Sequence, residues 1–212
     1  MIAMLAPVVI AAMAGQAAVP IAQTGFFTAR QPEVAAALEL MPDGRFRYSL
    51  DYGAVSEIAG GRWTGDGRTV RLTCDPMPRA PSFAILADEP APAGEYQVTL
   101  ENPGFDWGGP LEFLATIDGS PSPVRIKPDS VGRVDPPPGR ITAIRPIVPV
   151  YGDIGPPLAL AGPGGHKLTV RFLRNDLGMA RFDSTPLVVE DGGLRLMRYG
   201  ASIRLVRSAP SQ

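Results

Sequence analysis

The sequence predicts an all-β protein, and three observations support this fold class. Apolar and polar residues alternate in short runs through the stretch 38–74, a pattern typical of strands with one buried face. Turn sequences such as Asp43-Gly44 and Asp66-Gly67 separate these runs. Glycine and proline number 24 each and fall between the apolar runs. We therefore expect a succession of antiparallel hairpins.

The first element in the chain is an apolar, small-residue segment at 1–17, which we interpret as a signal peptide. It is too short for a stable membrane anchor, and small residues permit cleavage after Ala14 or Ala17. The segment has no Lys or Arg, so a buried N-terminal helix remains the alternative. The signal predicts a periplasmic or secreted protein with no transmembrane anchor after cleavage.

The next elements form two regions at the ends of the chain, and both show alternating apolar and polar residues separated by tight turns. A strand is expected at 24–30, and 33–41 is either a strand or a short helical turn. Clear hairpins cover 38–74 before Pro76, Pro78 and Pro81 interrupt the pairing. From His166 onward, alternating runs and tight turns return. We expect residues 24–88 and 166–207 to pair in one antiparallel barrel, because closure removes unpaired sheet edges.

The middle of the chain has a different residue pattern, richer in glycine and proline loops. We expect residues 93–163 to be an inserted β-sandwich. Alternating runs at 95–101 and 111–118 flank a loop rich in glycine. Three successive prolines at 136–138 predict a stiff connector.

Charge and cysteine content argue against several function classes. The net charge is −1 and there is no run of Lys or Arg, so we expect no nucleic-acid partner. Cys74 is the only cysteine, and its alternating register predicts a buried apolar residue rather than a reactive thiol. His166 is the only histidine and is interpreted as a polar residue beside a turn. These counts predict no metal site and no cofactor.

Paired carboxylates are the remaining catalytic possibility. Asp51 and Glu57 flank one turn, and Asp106 and Glu112 flank a loop, so either pair could converge for acid and base chemistry. Solvated acids at turns and strand ends are the commoner alternative. We therefore expect no catalytic residue.

Aromatic residues give the candidate binding positions. Tyr48, Tyr52 and Trp63 lie on the hairpins and would either line a pocket for a small apolar ligand or fill the barrel core. Phe105 and Trp107 lie in the loop 102–110, where they would form a partner surface or fold back over the insert.

Several motifs resemble those of known secreted proteins. PDGRFRYSLDYGAVSEIAGGRW and FLRNDLGMARFDSTPLVVEDGGLRLMRYG resemble uncharacterised secreted bacterial β proteins with lipocalin-like terminal halves. YQVTLENPGFDWGGPLEF and ATIDGSPSPVRIK are similar to transthyretin-like, carboxypeptidase-regulatory-like sandwiches. The resemblance implies a lipocalin-like antiparallel barrel, built from both chain ends, with an inserted transthyretin-like β-sandwich. Glycine and tryptophan occur late, at Gly61 and Trp63, rather than in the first strand as in lipocalins.

Three functions are compatible with this organisation. The first is a non-catalytic binding or protein-interaction module of the cell envelope, taking a small apolar ligand or an envelope protein. The second is a carboxylate-dependent hydrolase of an envelope polymer. The third is a structural spacer in which the insert positions the barrel.

Overall fold

The computed structural model describes residues 23–101, 109–135, 139–153 and 155–208. The predicted signal peptide at 1–17 lies outside these residues, as do Phe105, Asp106 and Trp107. Within the described ranges, no helix is long and apolar enough to cross a membrane. The strands are β1 (Gly25–Gln31), β2 (Val34–Leu40), β3 (Arg45–Tyr52), β4 (Val55–Gly65), β5 (Thr69–Cys74), β6 (Ser82–Ala91), β7 (Tyr96–Glu101), β8 (Phe113–Ile117), β9 (Val124–Ile126), β10 (Arg133–Val134), β11 (Ile141–Val148), β12 (Gly152–Asp153), β13 (Leu158–Ala159), β14 (Gly165–Leu173), β15 (Thr185–Glu190), β16 (Gly193–Arg198) and β17 (Ala201–Ser208).

Eight strands from both ends of the chain close into an antiparallel barrel. Their order around the barrel is β1-β17-β16-β15-β5-β4-β3-β2. The N-terminal meander β1 to β5 meets the C-terminal meander β15 to β17 at two seams, where β1 pairs with β17 and β5 pairs with β15. The predicted fold class, an all-β protein with an antiparallel barrel built from both chain ends and additional sheets inserted between them, is confirmed.

The alternating sequence explains how the barrel strands form. Along β3, Phe46, Tyr48 and Leu50 point inward and alternate with the exposed Arg47, the half-buried Ser49 and the exposed Asp51. The ambiguous segment at 33–41 forms β2, which is bonded on both sides in full register. Tight turns hold the hairpins together, and at 66–69 the Asp66 carboxylate accepts the N–H groups of Arg68 and Thr69 at 2.9 and 2.8 Å.

The inserted part contains two further sheets around one hydrophobic core. One sheet has the order β10-β7-β14-β6, and β14 runs parallel to β7. The other has the order β12-β11-β8-β9, with β13 also paired to β11. Buried residues of both sheets, with Leu111 from the segment before β8, form the core: Phe83, Tyr96, Val98, Leu111, Phe113, Ala115, Ile117, Val134, Ile141, Ile144, Val148, Leu168, Val170 and Phe172.

The boundary of the insert differs from the prediction. Residues 82–88 and 166–173 were expected in the barrel, but they lie in β6 and β14, which pair with each other from Ser82 and Leu173 to Ala91 and Gly165. Both strands carry side chains of the insert's own core, Phe83 on β6 and Leu168 on β14. Alternation alone does not reveal which of two sheets a strand joins, because both sheets bury one face of each strand.

Two linkers connect the barrel with the insert, the first at 75–81 and the second at 174–184. They are bonded directly to each other. The backbone N–H of Arg79 donates to the Asp176 carboxylate at 2.6 Å, and the Asp176 N–H donates to the Arg79 carbonyl at 3.2 Å. The Asn175 side-chain amide donates to the Ala80 carbonyl at 2.7 Å. The chain therefore leaves and re-enters the barrel at one place.

Candidate functional site

The most unusual residue in the barrel is Glu57, a carboxylate on an inward-facing position of β4. The inward positions of this strand are Val55, Glu57, Ala59, Gly61 and Trp63. Glu57 is 3% exposed, and the next residue, Ile58, is bonded to Gly178 and Ala180 of the second linker. A buried charge is costly unless it is paired and hydrogen-bonded, so its surroundings decide what it does.

Four donors surround the Glu57 carboxylate. Arg198 forms two of these bonds, from Nε to Oε1 at 2.8 Å and from Nη2 to Oε2 at 2.5 Å. The Tyr48 hydroxyl donates to Oε1 at 3.2 Å, and the Tyr199 hydroxyl donates to Oε2 at 2.7 Å. We call Glu57, Arg198, Tyr48 and Tyr199 the Glu57 cluster. The bidentate pair fixes both the position and the plane of the guanidinium.

Local sequence brings each partner to Glu57. Arg198 follows Leu194 and Leu196 on the inward face of β16. Tyr199 and Gly200 form the two-residue turn from β16 to β17, and both have positive φ, 50° and 74°. Such a turn matches the twist of a hairpin, and here it folds the Tyr199 ring over the end of the barrel.

The second linker closes this end of the barrel with Phe182. Ile58 and Met179 form a parallel bridge, and the Cys74 N–H donates to the Phe182 carbonyl at 2.9 Å. The Phe182 ring is fully buried and lies edge-on to Tyr48, with centroids 4.9 Å apart. The Arg198 guanidinium lies over the Phe182 ring at 5.5 Å, so the same linker also holds the cluster in place.

The cluster shifts the ionisation of its members. Burial and the negative charge of Glu57 raise the pKa of Tyr48 far above its ordinary value. Burial and the hydrogen bond to Glu57 raise the pKa of Tyr199 to about 12. Burial lowers the pKa of Arg198, but the hydrogen bonds and charge of Glu57 outweigh this effect, and the net shift is upward. The arginine stays charged and both phenols stay neutral at physiological pH.

The Glu57 cluster forms one wall of a pocket between the barrel and the insert, which we call the junction pocket. Its volume is about 260 Å³. The lining residues come from the barrel, both linkers and the insert: Glu57, Ala80, Pro81, Tyr151, Gly155, Asp176, Leu177, Gly178, Met179, Arg181, Arg198 and Tyr199. Pockets for small ligands occur preferentially at such interfaces.

A second cavity, which we call the junction groove, also borders the second linker. Its volume is about 560 Å³. Met41, Met77 and Met179 line it together with residues of β3, β4 and the first linker. Asp176 and Met179 line both cavities. The groove is larger, but of these two cavities the junction pocket is the one lined by a buried, hydrogen-bonded charge.

The three aromatic residues predicted to bind a ligand lie in different surroundings. Trp63 is 2% exposed in the barrel core, and its indole N–H donates to the Met41 carbonyl at 3.0 Å. Tyr48 is also a core residue, but its hydroxyl belongs to the Glu57 cluster. Tyr52 is half-buried and its ring lies 6.4 Å from that of Tyr199. Side chains therefore fill the barrel around Tyr48 and Trp63, and the predicted partner residues Phe105 and Trp107 lie outside the described residues.

The Asp51 and Glu57 carboxylates do not converge, and Asp106 of the second pair lies outside the described residues. Asp51 is exposed on the outer face of β3 and Glu57 points inward from β4, because alternate residues of a strand face opposite sides. Glu112 forms an ion pair with Arg125 at 2.6 Å. Among the residues described, no group of three or more His, Cys, Asp or Glu side chains could hold a metal ion.

Cys74 and His166 complete the predicted positions. Cys74 is buried, as predicted, and burial raises the pKa of its thiol. His166 lies at the start of β14, directly after the bends at 162–164, and it is buried with 4% exposure. Its Nδ1 lies 2.7 Å from Oδ1 of Asp88, and its ring stacks on Tyr96 at 6.0 Å.

The sequence contains a signal for the Glu57 cluster that the search for catalytic motifs missed. Glu57 is two residues from Val55 and two from Ala59, so all three share one face of the strand. Arg198 shares a face with Leu194 and Leu196 in the same way. Opposite charges on two inward-facing positions predict a buried ion pair, because neither charge is tolerated inside without the other.

Comparison with models of protein families, with curated proteins and with solved structures gives no match for this chain. The resemblance to lipocalin-like and transthyretin-like proteins therefore remains a prediction from sequence motifs. The geometry of the Glu57 cluster and of the two junction cavities is the basis for a function.

Proposed function

We propose that this protein is a non-catalytic binding module of the cell envelope, and that its binding surface is the crevice where the barrel meets the insert. The observation that carries this proposal is the contrast between the packed barrel around Trp63 and the two cavities on either side of the second linker. A ligand inside the barrel would have to displace buried side chains such as Trp63 and Phe182. A ligand in the crevice would displace only solvent.

The chemistry of the crevice favours binding over catalysis. All four contacts to the Glu57 carboxylate come from N–H or O–H donors, two of them from a charged guanidinium. A carboxylate engaged in this way has few free acceptor positions for a substrate. Its role is to hold Arg198, Tyr48 and Tyr199 rigidly at the pocket wall, and rigid polar groups beside apolar walls are typical of binding sites.

Native mass spectrometry of the protein purified from its own cell envelope tests this proposal. We expect the wild-type protein to carry a bound small molecule. Met179→Trp should abolish this binding, because Met179 lines both cavities and is 38% exposed.

Met197→Trp is the matched control, since Met197 is 62% exposed on β16 and lines neither junction cavity. This variant should retain the bound molecule. A bare protein mass in the wild type, or equal occupancy in both variants, would contradict the proposal.

A further inference from the structure

We infer that the junction pocket binds a ligand bearing a single carboxylate beside an apolar body, through the guanidinium groups of Arg198 and Arg181. This inference rests on the proposed binding function and specifies the ligand class. The features that support it are the guanidinium N–H donors available to a ligand, the charges around them and the apolar walls of the pocket.

Arg198 presents a preorganised donor edge to the pocket. Its Nε and Nη2 groups bond to Glu57, no bond of Nη1 forms within the described part of the chain, and the side chain is 23% exposed. The guanidinium lies over the rings of Phe182 and Tyr199, at 5.5 and 4.8 Å. Because these contacts already fix the side chain, a ligand that bonds to Nη1 orders little further.

Arg181 supplies the second cation. It lines the junction pocket, its side chain is exposed, and it forms no ion pair or hydrogen bond among the described residues. A guanidinium without an ion-pair partner keeps all of its N–H donors available to a ligand. Together with the oriented donor edge of Arg198 in the same pocket, the Arg181 guanidinium is suited to an oxyanion.

The two acidic groups of the pocket already accept bonds from donors of the chain itself. The Glu57 oxygens face their own four donors, and the Asp176 carboxylate accepts the Arg79 N–H at 2.6 Å. Their negative charges would still repel a doubly charged phosphate more strongly than a carboxylate. The pocket therefore favours a ligand with one negative charge.

Apolar and aromatic side chains form the remaining walls. Leu177 and Met179 come from the second linker, Pro81 from the first, and Tyr151 from the insert. A volume of about 260 Å³ suits a small ligand or the end of a chain. A carboxylate attached to a compact apolar group would satisfy both the cations and these walls.

Titration of the full protein with 3-phenylpropionate, followed by ¹H–¹⁵N NMR, tests the inference. The neutral 3-phenylpropanamide is the matched probe. We expect saturable shifts at residues 176–181 and 198–200 with the acid, and affinity lower by about tenfold or more with the amide, because a charge-assisted bond is lost. Arg181→Gln should weaken binding of the acid by about tenfold.

Arg204→Gln is the control variant, since Arg204 is exposed on β17 outside the pocket, and it should leave binding unchanged. A dipeptide ending in phenylalanine, compared with its C-terminal amide, distinguishes a peptide chain end from a free acid as the source of the carboxylate. Equal binding of acid and amide would overturn the carboxylate inference and leave the crevice as a binding surface. Absence of shifts with every probe would also overturn it, whereas the envelope purification decides the proposed function separately.

Discussion

At the scale of single residues, the buried ion pair of Glu57 and Arg198 has a large desolvation cost and a specific geometry. Removing two charges from water is expensive, and their attraction offsets this cost only when the remaining hydrogen-bonding groups are satisfied. Here two phenols complete the coordination of the carboxylate. The pair is therefore better explained by the orientation it gives Arg198 than by a net gain in stability.

Replacing Glu57 should be strongly destabilising. Glu57→Gln leaves the Arg198 charge without its partner, and we expect the free energy of unfolding to fall by about 3 kcal/mol. Glu39→Gln is the control, because Glu39 pairs with Arg47 at 3.5 Å on the exposed surface, and it should cost less than about 1 kcal/mol. Urea denaturation measures both, and equal costs would contradict a structural role for the buried pair.

The raised pKa of Tyr199 predicts a loss of stability at alkaline pH. The phenol titrates near its ordinary pKa of 10.0 in the unfolded chain, whereas burial and the bond to Glu57 raise that pKa to about 12 in the folded protein. Between these values the folded state holds more protons, so the stabilisation is complete below pH 10 and is lost as the pH rises toward 12. Urea unfolding of wild type and Tyr199→Phe across this range checks the sign, and the variant should lose less stability.

At the scale of elements, the second linker acts as part of the barrel. It bonds to β4 through Ile58 and to β5 through Cys74, and it places Phe182 in the core. Its sequence alternates between the exposed Met179, Arg181 and Asp183 and the buried Ala180 and Phe182, and it lies in the range 166–207 that was expected in the barrel, but it forms an isolated bridge at Met179 and no regular strand. Alternation therefore indicates the buried face, whereas the partners of this segment, Ile58 and Cys74, depend on tertiary contacts.

Truncation of Phe182 should show how much this linker contributes. Phe182→Ala removes contacts with Phe46 and Tyr48 and leaves a cavity, so we expect a loss of about 3–5 kcal/mol in the free energy of unfolding. Met197→Ala, at a position 62% exposed, should change it by no more than about 0.5 kcal/mol. Similar small changes in both variants would show that the linker is dispensable for the barrel.

The sequence predicted the positions of strands far better than it predicted which strands pair in one sheet. Alternation around Phe46 and Leu72 identified β3 and β5, and both bury the expected faces. The same pattern in β6 and β14 was assigned to the barrel, although their side chains complete the insert's core. Strand identity depends on local alternation, whereas sheet membership depends on contacts between distant residues, such as Phe83 and Phe172 with ring centroids 5.1 Å apart.

At the scale of the whole molecule, the insert is attached through two adjacent linkers. The bonds of Asn175 and Asp176 to Ala80 and Arg79 bring the two ends of the insert side by side. The insert and the barrel also have separate hydrophobic cores. A fold built in this way can lose one unit while keeping the other, provided that the ends are rejoined over a short distance.

Deletion of residues 82–173, with a short Gly-Ser linker joining Pro81 to Arg174, should therefore leave a folded barrel. The closing strands, the second linker and the Glu57 cluster all remain in this variant, so cooperative urea unfolding and dispersed NMR signals are expected. The variant should also lose the affinity for 3-phenylpropionate, because Tyr151 and Gly155 of the pocket wall are absent. An unfolded variant would show that the barrel depends on the insert, and undiminished binding would place the ligand on the barrel alone.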